Sequence, residues 1–203
     1  RYYDVKLANS FAYDTGSYYD QLASASVEDA TGDGILDLYV PSKGYSVPVE
    51  GTMLVCSSSY IRVQAANEAA KMLNSLGFNI TVKSMEYTEY KNALLQGNFD
   101  LYYGEYKMTA DWDLTELLTG SCNYGRYTSA DLTALLAAER TAQGSAHDTA
   151  AAKLYAAFQA QMPFAPICFE RSSVLTISGV IQGLTPSLTD PFYNLTDWKI
   201  RFA

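Results

Sequence analysis

Two carboxylates, Asp111 and Asp113, stand two residues apart. On an extended segment both would project to one side, as an acid–base pair or a bound cation requires. Ordinary loop carboxylates share that spacing, and contact with a ligand is a better reading of the pair than catalysis. The chain has one histidine, His147, in Gly144-Ser145-Ala146-His147-Asp148 between two predicted helices. Catalysis needs a base or nucleophile supported by neighbours, and a lone histidine between two helices argues against a triad. It reads as a solvated linker residue at a helix start, and no enzymatic activity is expected.

Asp29-Ala30-Thr31-Gly32-Asp33-Gly34-Ile35-Leu36-Asp37 has oxygen ligands at positions 1, 3, 5 and 9 of a calcium loop and glycine at position 6. Position 12, where such a loop needs a bidentate Glu, is Val40. A tight Asp-Gly turn without metal is the favoured reading, with Asp29, Asp33 and Asp37 kept as weak metal candidates. Cys56, Cys122 and Cys168 lack CxxC spacing, and an odd number cannot all pair within one chain. Cys56 and Cys168 sit in apolar strands and read as small buried hydrophobes, while Cys122, in a Gly-Ser loop, is the most exposed of the three. Asn79-Ile80-Thr81 and Asn194-Leu195-Thr196 are glycosylation sequons by spacing alone.

The strongest concentration of recognition chemistry runs from Gly97 to Asp113. A short apolar and aromatic strand, Phe99 to Tyr103, leads directly into Gly104-Glu105-Tyr106-Lys107-Met108-Thr109-Ala110-Asp111-Trp112-Asp113. Open α/β sheets place ligands just beyond the carboxyl ends of their strands, so charge and aromatic rings gathered there point to recognition more than to packing. Seventeen Tyr beside eight Phe and two Trp suit wet interfaces, because each ring joins an apolar face to a polar tip.

The wider composition limits the partners. In 203 residues, 48% hydrophobic content is ample for a buried core. Fourteen Lys and Arg against 22 Asp and Glu give a net charge of −8, so nucleic-acid backbones and anionic membrane surfaces are repelled. No apolar run approaches the roughly 20 residues that span a bilayer. The start, Arg1-Tyr2-Tyr3-Asp4, has no signal-peptide pattern and looks like a cut from a longer precursor.

Positioning these groups falls to alternating strands and helices. Residues 1–48 show little periodicity beyond a short helix from Ser17 to Ser26 and the Asp-Gly turn. Met53 to Cys56 reads as a buried strand. Ser57-Ser58-Ser59 supplies N-cap candidates for a helix from Tyr60 to Leu76, with Gly77 placed to end it. Phe78, Ile80 and Val82 alternate with polar residues as a half-buried strand does. A helix from Thr88 to Gln96 and the strand Phe99 to Tyr103 follow, an order that argues for a mostly parallel sheet. Ser129 caps a predicted helix from Ala130 to Ala142, and Asp148 or Thr149 opens another from Ala150 to Met162. Phe164 to Glu170 and Val174 to Ile177 read as strands, and Gly183 to Ala203 as a loop-like tail.

In this order the segments resemble the C-terminal part of extracellular solute-binding proteins of the peptide/nickel type, family 5, which serve ABC transporters. The resemblance is carried by the acidic Gly-rich turn at Asp29 to Asp37, by Ala69-Ala70-Lys71-Met72-Leu73 with Leu76-Gly77-Phe78-Asn79-Ile80, and by Gly97-Asn98-Phe99-Asp100-Leu101. It continues through Tyr127 to Leu136, Leu154-Tyr155 and Met162-Pro163-Phe164-Ala165-Pro166-Ile167. These matches cover residues 28–183 in the right order.

The resemblance implies a periplasmic-binding-protein-like α/β lobe with a mostly parallel central sheet flanked by helices. Residues 49–183 would form the second lobe of a two-lobe protein. Residues 1–48 would be a leading segment, and 184–203 a tail returning toward a missing first lobe. It also implies capture of a peptide-like or other small solute without a cofactor, and ABC-transporter permease subunits as partners of the full-length protein. The location would be extracellular, as a cell-surface lipoprotein, or periplasmic, with membrane contact only through a lipid anchor outside this fragment.

Peptide binders of that family read a free amine with a Gly-Trp-x-x-Asp arrangement after this strand. Counted from Gly104, the Trp position is Glu105 and the Asp position is Met108, so that pair does not carry over. By position the ligand-binding candidates are Tyr103, Glu105, Tyr106, Met108, Asp111 and Trp112, with Glu170 at the end of its predicted strand. A secreted carboxylate-based hydrolase and a calcium-stabilised structural module are the alternatives.

Overall fold

The structure, a computed structural model, describes residues 15–109, 111–167, 175–177, 179–187 and 190–201. The chain forms two compact units, Arg1–Lys107 with Leu114–Ala160, and Met108–Asp113 with Gln161–Ala203.

The first unit opens with helix α1 (Thr15–Ser24) and a small antiparallel sheet, β1 (Val27–Glu28), β2 (Asp37–Val40) and β3 (Tyr45–Pro48), in that order. The sequence reading gives no strands here. All three are short, and their half-exposed residues leave no clean alternation to detect.

A parallel sheet follows, in the order β5–β4–β6. Strand β4 (Glu50–Cys56) lies between β5 (Asn79–Met85) and β6 (Leu101–Tyr103). Its register runs from Glu50 opposite Asn79 to Cys56 opposite Met85, and from Met53 opposite Leu101 to Val55 opposite Tyr103. The crossovers are helices α2 (Tyr60–Ser75) and α3 (Tyr87–Gln96). Helix α2 covers one face, packing Ala66 and Ala70 against Met53 and Val55. Helix α3 covers the other, packing Tyr90 and Leu94 against Leu54 and Cys56. The continuous buried run Met53 to Cys56 follows from this, since a strand between two helical layers has no solvent face. Each buried aliphatic side chain stabilises the fold by roughly 1.5–3 kcal/mol.

Local chemistry sets the helix ends. Ser59 caps α2, its hydroxyl accepting the N–H of Arg62 at 3.4 Å. Gly77, just past the helix, has φ 95°, and its N–H donates to Asn74 O at 3.1 Å. A Cβ there would meet Leu36 Cγ at 2.9 Å. Leu36 in turn donates its N–H to Gly77 O at 2.7 Å and accepts that of Val49 at 2.7 Å, joining the acidic turn to the parallel sheet.

Asn79 donates to Val49 O on the β4 side. Strand alternation therefore sends the polar groups of Ile80, Val82 and Ser84 to the outer edge of β5. Ile80 is met there by the carboxamide of Asn74, which accepts its N–H at 2.7 Å and donates to its C=O at 3.0 Å.

The first unit continues with α4 (Thr115–Leu118), α5 (Ala130–Thr141) and α6 (Ser145–Gln161), the last crossing into the second unit. Ser129 caps α5, accepting the N–H of Leu132 at 3.2 Å. Helix α6 begins at Ser145, ahead of the predicted start. Thr149 donates its hydroxyl to Ser145 O at 3.2 Å, and His147 Nε2 lies 2.9 Å from Glu139 Oε1, fastening the first turn to α5.

In the second unit, β7 (Ile181–Gln182) pairs antiparallel with β8 (Lys199–Ile200) beside a 3-10 turn at Leu195–Asp197. Of the predicted strands Phe164 to Glu170 and Val174 to Ile177, the described residues 164–167 and 175–177 lie in no strand, and 168–174 fall outside the described residues. Pro166 withholds a ladder donor from the first of them, and Pro163 stands immediately before it. Among the described residues no helix is long and apolar enough to cross a membrane.

Candidate functional site

The carboxyl ends of β4, β5 and β6 share one edge of the first unit's sheet because all three strands run parallel. Both crossover helices begin there. The loop after β4 is tied to the end of β5 and to the residue beyond it: Ser57 donates its N–H to Met85 O at 2.8 Å, and its hydroxyl donates to Glu86 Oε1 at 3.1 Å. Cys56 Sγ lies 3.2 Å from Ser58 Oγ.

Beyond β6 comes Gly104, where a Cβ would stand 3.1 Å from the Tyr102 ring and 3.3 Å from Tyr90 Oη. Tyr90 donates its hydroxyl to Tyr103 O at 2.9 Å, fastening α3 to the end of β6. The next residue, Glu105, pairs with Arg62 in the first turn of α2, with Oε1 3.0 Å from Nη1. The Glu105 side chain is 60% exposed and that of Arg62 30%.

The aromatic wall beneath this edge shifts several acidities. Burial, with Tyr102, Cys56 and Tyr124 adding to it, pushes the Tyr90 hydroxyl well above its ordinary value. Burial also raises Tyr102. Lys91 is raised chiefly by its hydrogen bond to the Tyr124 hydroxyl, and its ammonium stands 4.6 Å from that ring's centroid. Tyr102 meets Phe99 and Tyr124 edge-on. These rings pack the α3 face rather than present a titrating group to solvent.

The sequence candidates divide between the units. In the first, Tyr103 and Tyr106 are half-buried and Glu105 is exposed beside Arg62. In the second, Met108 is half-buried while Asp111 and Trp112 are exposed. Trp112 has φ 60°, and its N–H donates to Thr109 O at 3.1 Å, while the N–H of Asp113 donates to Thr109 Oγ1 at 3.1 Å. Glu170 and Cys168 lie outside the described residues. Sequence reasoning missed Arg62, Glu86 and Tyr90. The serine run at 57–59 marked the start of α2, but no local pattern links these residues to partners distant in sequence.

The acidic turn engages its own backbone. Asp29 accepts the N–H groups of Gly32 at 2.7 Å, Asp33 at 3.2 Å and Gly34 at 2.9 Å. Asp33 accepts from Ile35 at 2.9 Å, and buried Asp37 from Ala30 at 3.1 Å. Among the described residues no group of three His, Cys, Asp or Glu is arranged to hold a metal ion. Cys56 is buried and Cys122 half-buried, both as free thiols. A cavity of about 270 Å³ lies between β5 and α3, lined by Lys83, Met85, Glu89, Asn92, Gln96 and Asn98 among others.

With this geometry, the chain has the fold of the periplasmic solute-binding proteins for peptides, nickel complexes and oligosaccharides. The periplasmic oligopeptide-binding protein of an ABC transporter from Thermotoga maritima, with bound mannohexaose, matches 94% of this chain at TM-score 0.71 and 18% identity. The oligopeptide-binding protein AppA from Bacillus subtilis, in complex with a nonapeptide, matches 95% at TM-score 0.65 and 17% identity. NikZ from Campylobacter jejuni, in complex with Ni(L-His), matches 93% at TM-score 0.60 and 12% identity. The chain spans 37%, 38% and 39% of those three proteins respectively. No protein-family model and no curated protein matches it. The resemblance read from the sequence therefore holds at the level of the fold, over a part of the length of such proteins.

Proposed function

We propose that this chain is a solute-binding lobe of the extracellular substrate-binding protein of an ABC transporter, without catalytic activity. In this reading the complete protein delivers its solute to permease subunits from the periplasm or the outer cell surface. Residues 49–183 make the body of the second lobe. Residues 1–48 lead into it, and 184–203 return toward a first lobe. Tyr103, Glu105, Tyr106, Met108, Asp111, Trp112 and Glu170 remain the solute-contact candidates.

The likeness of nearly the whole chain to binding proteins whose structures hold a peptide, an oligosaccharide and a nickel complex carries the proposal. Their solutes differ, so the fold alone does not select one. The carboxyl edge of the parallel sheet, with Glu105 and Arg62 at its rim, is where such a sheet meets ligands. The hydrolase alternative is not favoured, since these neighbours are binding proteins.

The test is native mass spectrometry of the complete protein purified without denaturation, followed by melts with peptides, oligosaccharides and metal complexes. A retained small molecule that raises the melting temperature is the expected result, because binding to the folded state alone stabilises it. Turnover of a candidate substrate, or no shift with any of the three classes, would overturn the proposal.

A further inference from the structure

We infer that Tyr60, Ile61 and Tyr87 form an apolar contact surface at the candidate site and take up an aliphatic or aromatic group of the solute; this rests on the solute-binding reading above. Tyr60 and Ile61 are the first two residues of α2, and Tyr87 is the first of α3. Both helices start at the carboxyl edge of the parallel sheet, where the contact between Ser57 and Glu86 joins the two approaches. The three residues are 75%, 78% and 63% exposed. Single apolar residues on a surface need no explanation, but three gathered at one edge of a sheet do. The fold gains little from them. Helix α2 packs through Ala66 and Ala70, and α3 through Tyr90 and Leu94. Helix starts favour acidic residues, and the first turn of α2 has none.

The polar groups at this edge already answer one another. Glu105 pairs with Arg62, and Glu86 accepts the Ser57 hydroxyl. What stands uncovered is apolar area, so a solute gains here chiefly by burying an apolar group of its own. A solute polar on every side would leave the three side chains in water. The Tyr60 hydroxyl accepts a hydrogen bond from Gln64 Nε2 at 2.8 Å, one helical turn on, which holds the ring before a solute arrives and lowers the cost of ordering it. The charges interspersed with these side chains argue against a permanent protein cover, because the centres of such interfaces are depleted in charge. Ligand sites instead join apolar walls to a few placed polar groups, which is the composition of this edge.

The experiment is an amide-resonance titration of the ¹⁵N-labelled 203-residue chain with matched probes, trileucine against triserine and hexyl against methyl β-D-glucoside. Within each pair the backbone or sugar is constant and only the apolar group changes. In at least one pair the apolar member is expected to shift the resonances of Tyr60, Ile61 and Tyr87 and to bind at least about tenfold more tightly than its counterpart. Ile61→Ser and Tyr87→Ser should each weaken that binding at least about fivefold. Their melting temperatures should stay close to that of the parent, since both residues are exposed. If the members of each pair bind equally at this edge, solute binding there stands and the apolar inference falls. If the apolar member binds but neither variant weakens it, other residues hold the group and the inference falls. If the three resonances move with protein concentration alone, the face joins two copies and the inference falls. In the solute-free complete protein, hydroxyl-radical labelling should modify all three residues, and protection there would overturn the inference by showing that another part of the protein covers them. If no probe moves the edge, the inference falls, and the native mass spectrum of the complete protein then decides the solute-binding reading separately.

Discussion

Asp100 Oδ2 accepts the backbone N–H of Thr52 at 2.7 Å, and the Asp100 N–H donates to Thr52 O at 3.4 Å. Thr52 precedes the first β4 residue paired with β6. Asp100 thus supplies both partners for Thr52 where the ladder begins. This gives Asp100 of the Gly97-Asn98-Phe99-Asp100-Leu101 segment a physical role: it fixes where β6 starts, and so where Gly104 and Glu105 emerge.

Asp100→Ala should destabilise the first unit by about 1 kcal/mol, the net worth of a typical hydrogen bond. Gly51→Ala should cost about 1–2 kcal/mol, because the new Cβ would lie 3.0 Å from Asp100 Cβ. Combining Gly51→Ala with Asp100→Gly removes that clash, so the double variant should lose less than the sum of the singles. Urea denaturation of the parent, Gly51→Ala, Asp100→Gly and the double variant checks this, and strict additivity would locate the strain elsewhere.

Tyr90 and Tyr102 are both raised by burial, and Lys91 is raised by Tyr124. Unfolded tyrosine ionises near pH 10 while these stay protonated longer in the folded chain. Above that pH the unfolded state binds fewer protons than the folded one, so stability falls as pH rises. The urea midpoint should be independent of these groups between about pH 7 and 9 and drop from about pH 10 upward. Tyr90→Phe should be about 1 kcal/mol less stable at neutral pH, having lost its bond to Tyr103 O. Above pH 10 its decline should be shallower than that of the parent. Parallel curves for the two proteins would exclude Tyr90 as a source.

Gly77→Ala should cost at least about 1 kcal/mol, because φ 95° strains any L side chain and the Cβ would stand 2.9 Å from Leu36 Cγ. Adding Leu36→Ala relieves the contact but not the backbone strain. In thermal melts referenced to Leu36→Ala alone, the Gly77→Ala penalty should shrink without vanishing.

Asp29→Ala removes the acceptor for three backbone amides, and a loss of about 1–2 kcal/mol is expected. Calorimetric melts of the parent with millimolar calcium and with EDTA should superimpose. A rise on calcium addition, abolished in Asp29→Ala, would restore the cation-loop reading of Asp29, Asp33 and Asp37.

The parallel sheet was legible because its signals are local. The unbroken apolar run Met53 to Cys56 marks a strand covered on both faces. Ser59 and Gly77 bound α2, and the alternation after Phe78 marks β5. The two-residue strands β1, β7 and β8 and the four-residue α4 are too short to carry a period and owe their form to distant neighbours. At the candidate site, Glu105 was reachable by position after its strand. Arg62 was not, because nothing in a helix-start sequence reveals which residue of a separate loop it will face.

The Asn74 carboxamide has a consequence for how copies of this molecule meet. It imitates a neighbouring strand at Ile80, so a second chain sliding alongside β5 finds the first rung taken and Lys83 within the remaining exposed stretch. The Asn74 amide thereby fills one of the outward-facing rungs of β5 and disfavours edge-to-edge pairing of two copies at that end of the strand. Removing it would reopen that rung to a second molecule.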